Sequence, residues 1–244
     1  MWEHLKQEQK EKYKTLITNF ASLSEAFSQK AEGEDSDDRE SYVAPIVNSK
    51  FQETVFQKAF HAVGEDIANT SYDASLVVDE QHKYLVGIKS FGLDSGDQKI
   101  AQFKKDSQSW NELLSEIRFH AEISPDKETA DKENRARYEK LAREIATLRN
   151  QRIESSKALI KGFHSDSSHV EAVYHVLMPT SKGHKPQIHV GETTYLPVDL
   201  DHLKILGSTT KNNPTNFRFT DGQHDYKYTA ADSQLHMTFR NKEI

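Results

Sequence analysis

Hydrophobic residues recur along this chain with two different periods, and these separate the predicted helices from the predicted strands. Spacings of three and four positions predict amphipathic helices over residues 3–28, 49–63 and 111–123. A long helix is predicted over residues 125–161, because a serine–proline pair begins it and a glycine follows it. The sequence therefore predicts that the first two thirds of the chain are mainly helical.

One strand pair interrupts these helices and carries two residues of chemical interest. Residues 74–78 and 84–91 are short apolar runs rich in β-branched and aromatic residues, and the polar turn between them is typical of two neighbouring strands. Asp73 stands immediately before the first run, and Lys89 lies inside the second. An acidic group and a basic group are thus predicted on adjacent strands.

From residue 170 onward the pattern changes to short strands joined by turns that contain glycine or proline. The Asp221–Gly222 pair is the clearest hairpin signal in the chain. An antiparallel sheet is therefore expected, with strands over residues 170–178, 187–190, 193–198, 216–220, 226–229 and 235–239.

These elements predict an α/β fold in four segments. Residues 1–31 form an N-terminal helical arm, and residues 32–41 form an acidic linker that contains no apolar side chain. Residues 42–164 form an α/β core with a long basic helix, and residues 165–244 form an antiparallel β-rich part expected to pack on the core. The expected core is a mixed sheet flanked by helices.

Composition narrows the possible functions. The chain has 244 residues, no cysteine and a formal net charge of -6. Disulfides, thiolate zinc sites and cysteine nucleophiles are excluded. The sequence shows no membrane-length apolar run and no signal-peptide pattern, so a cytoplasmic protein without membrane contact is expected. Phosphate-binding, dinucleotide-binding and serine-hydrolase motifs are absent from the sequence.

Positive charge gathers in the long helix, where residues 135–161 include eight basic and three acidic side chains. Such a helix on an acidic protein is a candidate for contacts with DNA phosphates, and Arg149 and Arg152 are predicted to make them. An exposed helix with ordinary ion pairs is the alternative interpretation.

A second group of candidate DNA contacts lies in the β-rich part, where amide, imidazole and basic side chains suit base edges and phosphates. A polar loop on a small sheet has the same composition, so both interpretations stay open. The candidates are Asn213, Asn216, Arg218, Gln223, His224 and Lys227.

Asp73 opening one strand and Lys89 inside the next resemble the motif of the PD-(D/E)xK nuclease superfamily, which includes many type II restriction endonucleases. The strings KYLVGIKSFG, QKIAQFK, HVGETTYLPVD and NFRFTDGQHDYKY also resemble stretches of bacterial restriction-endonuclease-like proteins. The resemblance implies that Asp73 binds Mg²⁺, with Mn²⁺ as a substitute. It also implies that Lys89 orients or deprotonates the attacking water.

The sequence departs from the family motif at one position. The family has Asp or Glu two residues before the lysine, and this chain has Gly87. Another group must therefore complete the site, because a lone carboxylate holds Mg²⁺ weakly. The order of preference is Glu53 as the second metal ligand, then Gln98 on a helix expected after the strand pair, then Glu65.

The resemblance leads to one functional prediction and two alternatives. The prediction is a Mg²⁺-dependent type II restriction endonuclease that cleaves double-stranded DNA at a short sequence and acts as a homodimer. The alternatives are a DNA-binding or protein-interaction module without catalysis, and a repair-type nuclease on the same core.

Overall fold

The computed structural model describes residues 1–28, 49–65, 70–93, 95–160, 163, 169–180, 187–240 and 242–243. The helices are α1 (Gln7–Ser28), α2 (Ser49–Phe60), α3 (Asn111–Ile123) and α4 (Lys127–Leu159), with short 3-10 helices at Trp2–His4 and Ser107–Trp110. The strands are β1 (Val63–Gly64), β2 (Ala74–Val77), β3 (Lys83–Ser90), β4 (Asp97–Gln102), β5 (Val170–Pro179), β6 (Ile188–Thr194), β7 (Lys204–Thr210), β8 (Asn213–Thr220), β9 (Asp225–Thr229), β10 (Gln234–Thr238) and β11 (Lys242–Glu243).

The chain divides into two compact units that interleave along the sequence. The first unit comprises Met1–Ser95, Ile153–Leu196 and Arg240–Ile244, and the second comprises Gly96–Arg152 and Pro197–Phe239. The predicted boundary at residue 165 stays a prediction, and the acidic linker falls outside the described residues.

The first unit is built on a mixed sheet with the strand order β1-β2-β3-β5-β6-β11. Strands β3 and β5 run parallel, and every other neighbouring pair in this sheet is antiparallel. Helices α1 and α2 pack on one face, where Tyr13, Phe56 and Phe60 join Val86 and Ile88 in a buried cluster. Burial of this apolar surface stabilises the unit.

The second unit is built on an antiparallel sheet with the order β4-β10-β9-β8-β7. Buried and half-buried residues alternate along β8, β9 and β10, as expected of a sheet with one face in the core. The buried face includes Phe217, Tyr226 and Leu235. Tyr138 of α4 stacks on Phe217 with 4.9 Å between ring centroids, so this helix covers the buried face.

The predicted α/β class is confirmed, with one mixed sheet, one antiparallel sheet and flanking helices. The helices predicted over residues 3–28, 49–63, 111–123 and 125–161 are confirmed within a few residues at their ends, and so is the hairpin at Asp221. None of the described helices is long and apolar enough to cross a membrane.

Two predictions of secondary structure are wrong, and one strand of the second sheet was not predicted. The helix expected around Gln98 is strand β4, because residues 97–102 pair with β10. The two strands expected over residues 187–198 are the single strand β6, which ends at Thr194. Strand β7 was not predicted at all, and it pairs with β8 around Gly207, whose φ is +101°.

Candidate active site and nucleic-acid surface

The carboxylate of Asp73 is held against strand β3 beside Lys89. Its Oδ2 accepts a hydrogen bond of 2.6 Å from the backbone N–H of Ile88. The backbone N–H of Asp73 also donates to the carbonyl of Val86 at 2.9 Å. Two hydrogen bonds therefore fix Asp73 against the segment that carries Lys89, as the sequence predicted for neighbouring strands.

Glu65 lies next to Asp73, although the sequence ranked it behind two other candidates. The N–H of Glu65 donates to the carbonyl of Asp73 at 3.2 Å. The Glu65 carboxylate accepts a hydrogen bond of 2.5 Å from the hydroxyl of Ser75 on β2. The structure therefore brings two acidic residues together on adjacent segments at one end of the mixed sheet.

Lys89 points away from the face that α1 and α2 cover. Its neighbour Ile88 belongs to the cluster under those helices, and successive side chains of a strand face opposite ways. Lys89 is half-buried, and within the described part of the chain no hydrogen bond or ion pair reaches its ammonium group. Lys89 therefore lies on the same face of the strand as Gly87.

Two tyrosine rings fill the space that a side chain at Gly87 would need. A Cβ atom added at Gly87 would lie 2.9 Å from ring atoms of both Tyr174 and Tyr195. These rings stack with 3.9 Å between centroids, and the Tyr195 hydroxyl donates to the carbonyl of Ser71 at 2.8 Å. The family acid cannot be accommodated at this position while both rings keep their places.

Glu53 and Gln98 are the two candidates that the sequence placed ahead of Glu65. Glu53 is half-buried on α2, which packs on the Val86 and Ile88 face of the sheet. Its role as a metal ligand stays a prediction. Gln98 lies on β4 in the second unit, in register with Met237.

Asp73 and Glu65 carry the type of oxygen ligand that Mg²⁺ prefers. This ion is typically bound at phosphate-transfer sites by one or two carboxylates, with waters and substrate oxygens as its other ligands. Asp73 and Glu65 provide two carboxylates of this kind. Within the described ranges, no group of three or more His, Cys, Asp or Glu residues is arranged to hold a metal.

The second unit presents a polar sheet face with a row of basic side chains across four strands. Lys99 of β4 pairs in register with His236 of β10, His236 pairs with Lys227 of β9, and Lys227 pairs with Arg218 of β8. Residues in register project from the same face of a sheet. We call these four residues the basic row.

Asp97 forms ion pairs with two members of the basic row. Arg218 donates from both terminal nitrogens to the Asp97 carboxylate, and the Lys227 Nζ lies 3.2 Å from Oδ2. The Thr238 hydroxyl donates to Oδ1 at 2.8 Å. Partial burial acts to raise the pKa of Asp97, but the hydrogen bonds from Thr238, Arg218 and Lys227 outweigh it and hold the pKa below its usual range.

His236 lies between Lys99 and Lys227 in the row, and its surroundings disfavour the protonated form of its ring. Partial burial, followed by the positive charge of Lys227, lowers its pKa below the usual value of 6.5. Its Nδ1 atom is buried without a hydrogen-bond partner in the described ranges. The row therefore carries three fixed cations at neutral pH, those of Lys99, Lys227 and Arg218.

The two arginines predicted as DNA contacts on α4 are held by the protein itself. Arg149 is only 3% exposed, so its guanidinium is not presented on the surface. Arg152 donates to the carbonyl of Gln102 at 2.7 Å, pairs with Asp106 at 3.3 Å and stacks on Phe103. The structure favours the alternative interpretation of a helix with ordinary internal pairs.

The six candidates in the β-rich part do not form one cluster. Arg218 and Lys227 lie in the basic row, and Asn216 on the same face accepts a hydrogen bond from the N–H of Ala230 at 2.9 Å. Asn213 lies at the β7–β8 turn. Gln223 and His224 occupy the β8–β9 turn at the other end of β8, where the buried carboxylate of Asp221 accepts hydrogen bonds from both of their N–H groups.

Sequence reasoning missed Asp97, Lys99 and His236. The alternation of β10 was visible in the sequence and would have placed His236 on a polar face between Leu235 and Met237. Asp97 and Lys99 had no comparable signal, because the residues of β4 show no clear alternation and the sequence predicts a helix there.

A scan against protein-family models found no matching family, and searches of curated proteins and of solved structures found no matching protein either.

Proposed function

We propose that this protein is a Mg²⁺-dependent endonuclease that hydrolyses phosphodiester bonds in double-stranded DNA. The proposed core is restriction-endonuclease-like and consists of α2 and strands β1, β2, β3 and β5 of the first unit. The observation that carries the proposal is the hydrogen bond of Asp73 to Ile88, next to Lys89. It joins an acidic residue at the start of one strand to the strand that holds the lysine.

Each side chain of this site has a distinct proposed role. Asp73 and Glu65 would hold Mg²⁺, and Glu53 is the alternative second ligand. The bound ion would supply polarisation of the scissile phosphate. The Ile88 N–H fixes the orientation of the Asp73 carboxylate through a charge-assisted hydrogen bond. Lys89 would place its positive charge against the phosphate oxygens as negative charge develops on them.

The finer prediction is part of the same proposal. A type II restriction enzyme cuts a short symmetric sequence, and a homodimer matches that symmetry. Discrete fragments from plasmid DNA would support sequence-specific cleavage, whereas a smear would support a less selective nuclease. Light scattering tests the dimer, which should have twice the chain mass of 27.9 kDa.

A second candidate function is a DNA-binding module without catalysis, and the stacked rings above Gly87 favour it. Tyr174 and Tyr195 exclude the family acid from β3 without rearrangement. A protein that does not bind Mg²⁺ at Asp73 does not require an Asp or Glu at position 87. The two candidates therefore differ in metal-dependent cleavage and not in DNA binding.

The decisive experiment is plasmid cleavage with Mg²⁺, Mn²⁺ or EDTA, with variants of each proposed site residue. We expect metal-dependent cleavage by the wild type. Asp73→Asn and Lys89→Gln should each lower the rate by about 10²-fold or more, since each removes a charge that acts on the transition state. Glu65→Gln and Glu53→Gln identify the second ligand, because only the true ligand should lose activity to a similar degree.

Glu80→Gln is the matched control, because Glu80 is an exposed acid in the turn between β2 and β3. It should cleave like the wild type. Circular dichroism must show that every variant is folded. Absence of cleavage by folded wild type with either metal would rule out the endonuclease and leave the non-catalytic module.

A further inference from the structure

We propose that the basic row binds the phosphate backbone of double-stranded DNA, and that Asp97 limits this binding by occupying two of the row's cations. The inference rests on the proposed function for the choice of DNA as the ligand. It deepens that function by assigning the backbone-binding surface to the second unit and by giving it an internal competitor.

The first argument is the geometry of the row. Lys99, His236, Lys227 and Arg218 follow one another in register across β4, β10, β9 and β8. Neighbouring strands lie about 4.8 Å apart, so the row spans about 14 Å. That length corresponds to roughly four steps of the 3.4 Å rise between nucleotides of one DNA strand. A row of this length can contact successive phosphates.

The second argument is accessibility. The opposite face of this sheet is closed by the core, where Phe217, Tyr228 and Leu235 are fully buried. On the polar face, Lys99 is exposed, and the side chains of Arg218 and Lys227 are 36% and 26% exposed. The basic row therefore lies on the accessible face of the sheet, and the opposite face packs in the core.

The third argument is the chemistry around Asp97. An arginine fork, a lysine ammonium and a threonine hydroxyl converge on its two oxygens. The same donors suit the oxygens of a phosphate, because planar guanidinium groups bind carboxylates and phosphates in the same bidentate way. Asp97 therefore occupies the position that a backbone phosphate would take, and a phosphate must compete with it.

Replacement of Asp97 by asparagine gives an unusual expectation, since loss of an ion pair should strengthen binding. Asn keeps polar atoms near Arg218 and Lys227 but removes the competing charge. Binding is measured by fluorescence anisotropy with a labelled DNA duplex in EDTA over a range of KCl concentrations. We expect Asp97→Asn to bind about tenfold more tightly at low salt. Its plot of log affinity against log salt should be steeper by about one, the contribution of one additional phosphate contact.

Lys99→Gln provides an independent test, because its exposed side chain can be changed with little risk to folding. It should weaken binding and make the salt dependence shallower by about one. The exposed Lys140→Gln on α4 is the matched control and should bind like the wild type. Unchanged or weaker binding by folded Asp97→Asn, or unchanged binding by Lys99→Gln, would overturn the proposal.

The experiment also separates this inference from the proposed catalysis. The assay contains EDTA, so it reports binding without cleavage. Wild-type binding that responds to Lys99→Gln, together with absence of cleavage, would retain the surface and reject the nuclease. Cleavage that depends on Asp73, together with binding that ignores the basic row, would retain the nuclease and reject this surface.

Discussion

Gly87 determines what β3 can offer to a ligand. The position lies between Val86, which faces the helices, and Ile88, whose N–H holds Asp73. Stacked aromatic rings occupy the space that its side chain would need. Acidic side chains at this end of the sheet therefore come from other segments, and Glu65 is placed next to Asp73 by a backbone hydrogen bond.

Gly87→Ala should destabilise the first unit. The added Cβ would lie 2.9 Å from the rings of Tyr174 and Tyr195, so the stacked pair must move. Overpacking of this kind lowers the free energy of unfolding by about 1–3 kcal/mol. Urea denaturation measures the change. Gly92→Ala is the control, because no atom lies within 4 Å of a Cβ there, and equal stability of the two variants would contradict the steric explanation.

The sequence shows a glycine at position 87 but not the packing that explains it. Asp73 and Lys89 were identifiable because each belongs to a short strand pattern, and the departure at Gly87 could be read directly. The rings that explain Gly87 belong to residues 174 and 195, about a hundred positions away. Contacts at such separation leave no periodic signal in the sequence, and the order of preference among Glu53, Gln98 and Glu65 stays a prediction.

Buried polar contacts connect the N-terminal helices to the mixed sheet. The Tyr13 hydroxyl of α1 lies 3.0 Å from Nε2 of His175 on β5. The other ring nitrogen of His175 lies 3.8 Å from Oε1 of Glu192 on β6, which is too long for a hydrogen bond, and neither atom has a hydrogen-bond partner in the described ranges. The Oε2 atom of Glu192 accepts a hydrogen bond of 3.1 Å from the N–H of Trp2. The hydrogen bonds of Tyr13 to His175 and of Trp2 to Glu192 hold the N-terminal segment against β5 and β6, because a buried polar group is costly to leave unsatisfied.

These contacts predict a pH-dependent stability. Burial acts to raise the pKa of Glu192, but His175 and the Trp2 N–H outweigh it and hold the pKa below its ordinary 4.5. A lowered folded pKa adds stability above the unfolded pKa, and that stability is lost as the pH falls through the folded value. Glu192→Gln should therefore be less stable than the wild type at pH 7, and the difference should shrink below about pH 4.5.

Denaturation by urea at several pH values checks this expectation. Glu171→Gln is the matched control, because Glu171 is an exposed acid on β5. Its stability relative to the wild type should stay nearly constant with pH. A Glu192→Gln deficit that is the same at pH 7 and in acid would show that the carboxylate charge adds nothing to stability.

Elements with a strong local period were predictable, whereas elements that depend on distant pairing were not. The alternation in β8, β9 and β10 repeats every two residues and was read correctly. Strand β4 has no clear alternation, and it forms a strand because it pairs with β10, more than 130 positions later. Tertiary pairing thus overrode the local preference, as often happens for short segments.

Several of the molecule's basic side chains form ion pairs with its own acidic side chains. The chain is acidic overall, with a formal net charge of -6. The basic residues of α4 give the sequence its most visible positive segment, yet the structure pairs several of them with acids of the protein. The pairs are Arg137 with Glu116, Arg143 with Glu139, Arg152 with Asp106 and Lys157 with Glu154.

This distribution predicts a weak salt dependence of DNA binding. At neutral pH the basic row carries three cations, and Asp97 cancels one, so about two phosphates are neutralised in effect. Each neutralised phosphate contributes about 0.9 to the slope of log affinity against log salt, which gives a slope of about -2 for the row. If the long helix bound DNA instead, its eight basic and three acidic residues would neutralise about five phosphates on the same net count, and the slope would be about -4.5.

The slope therefore distinguishes the two surfaces before any variant is made. Fluorescence anisotropy in EDTA with a labelled duplex gives it directly, and we expect a value near -2 for the wild type. Arg135→Gln should leave the slope unchanged, because this exposed arginine lies on α4, whereas Lys227→Gln should make it shallower. A steep slope that Arg135→Gln reduces and Lys227→Gln leaves unchanged would transfer DNA binding from the second sheet to the helix. Such a result would support the first interpretation of the sequence pattern, in which charge along a helix was the signal.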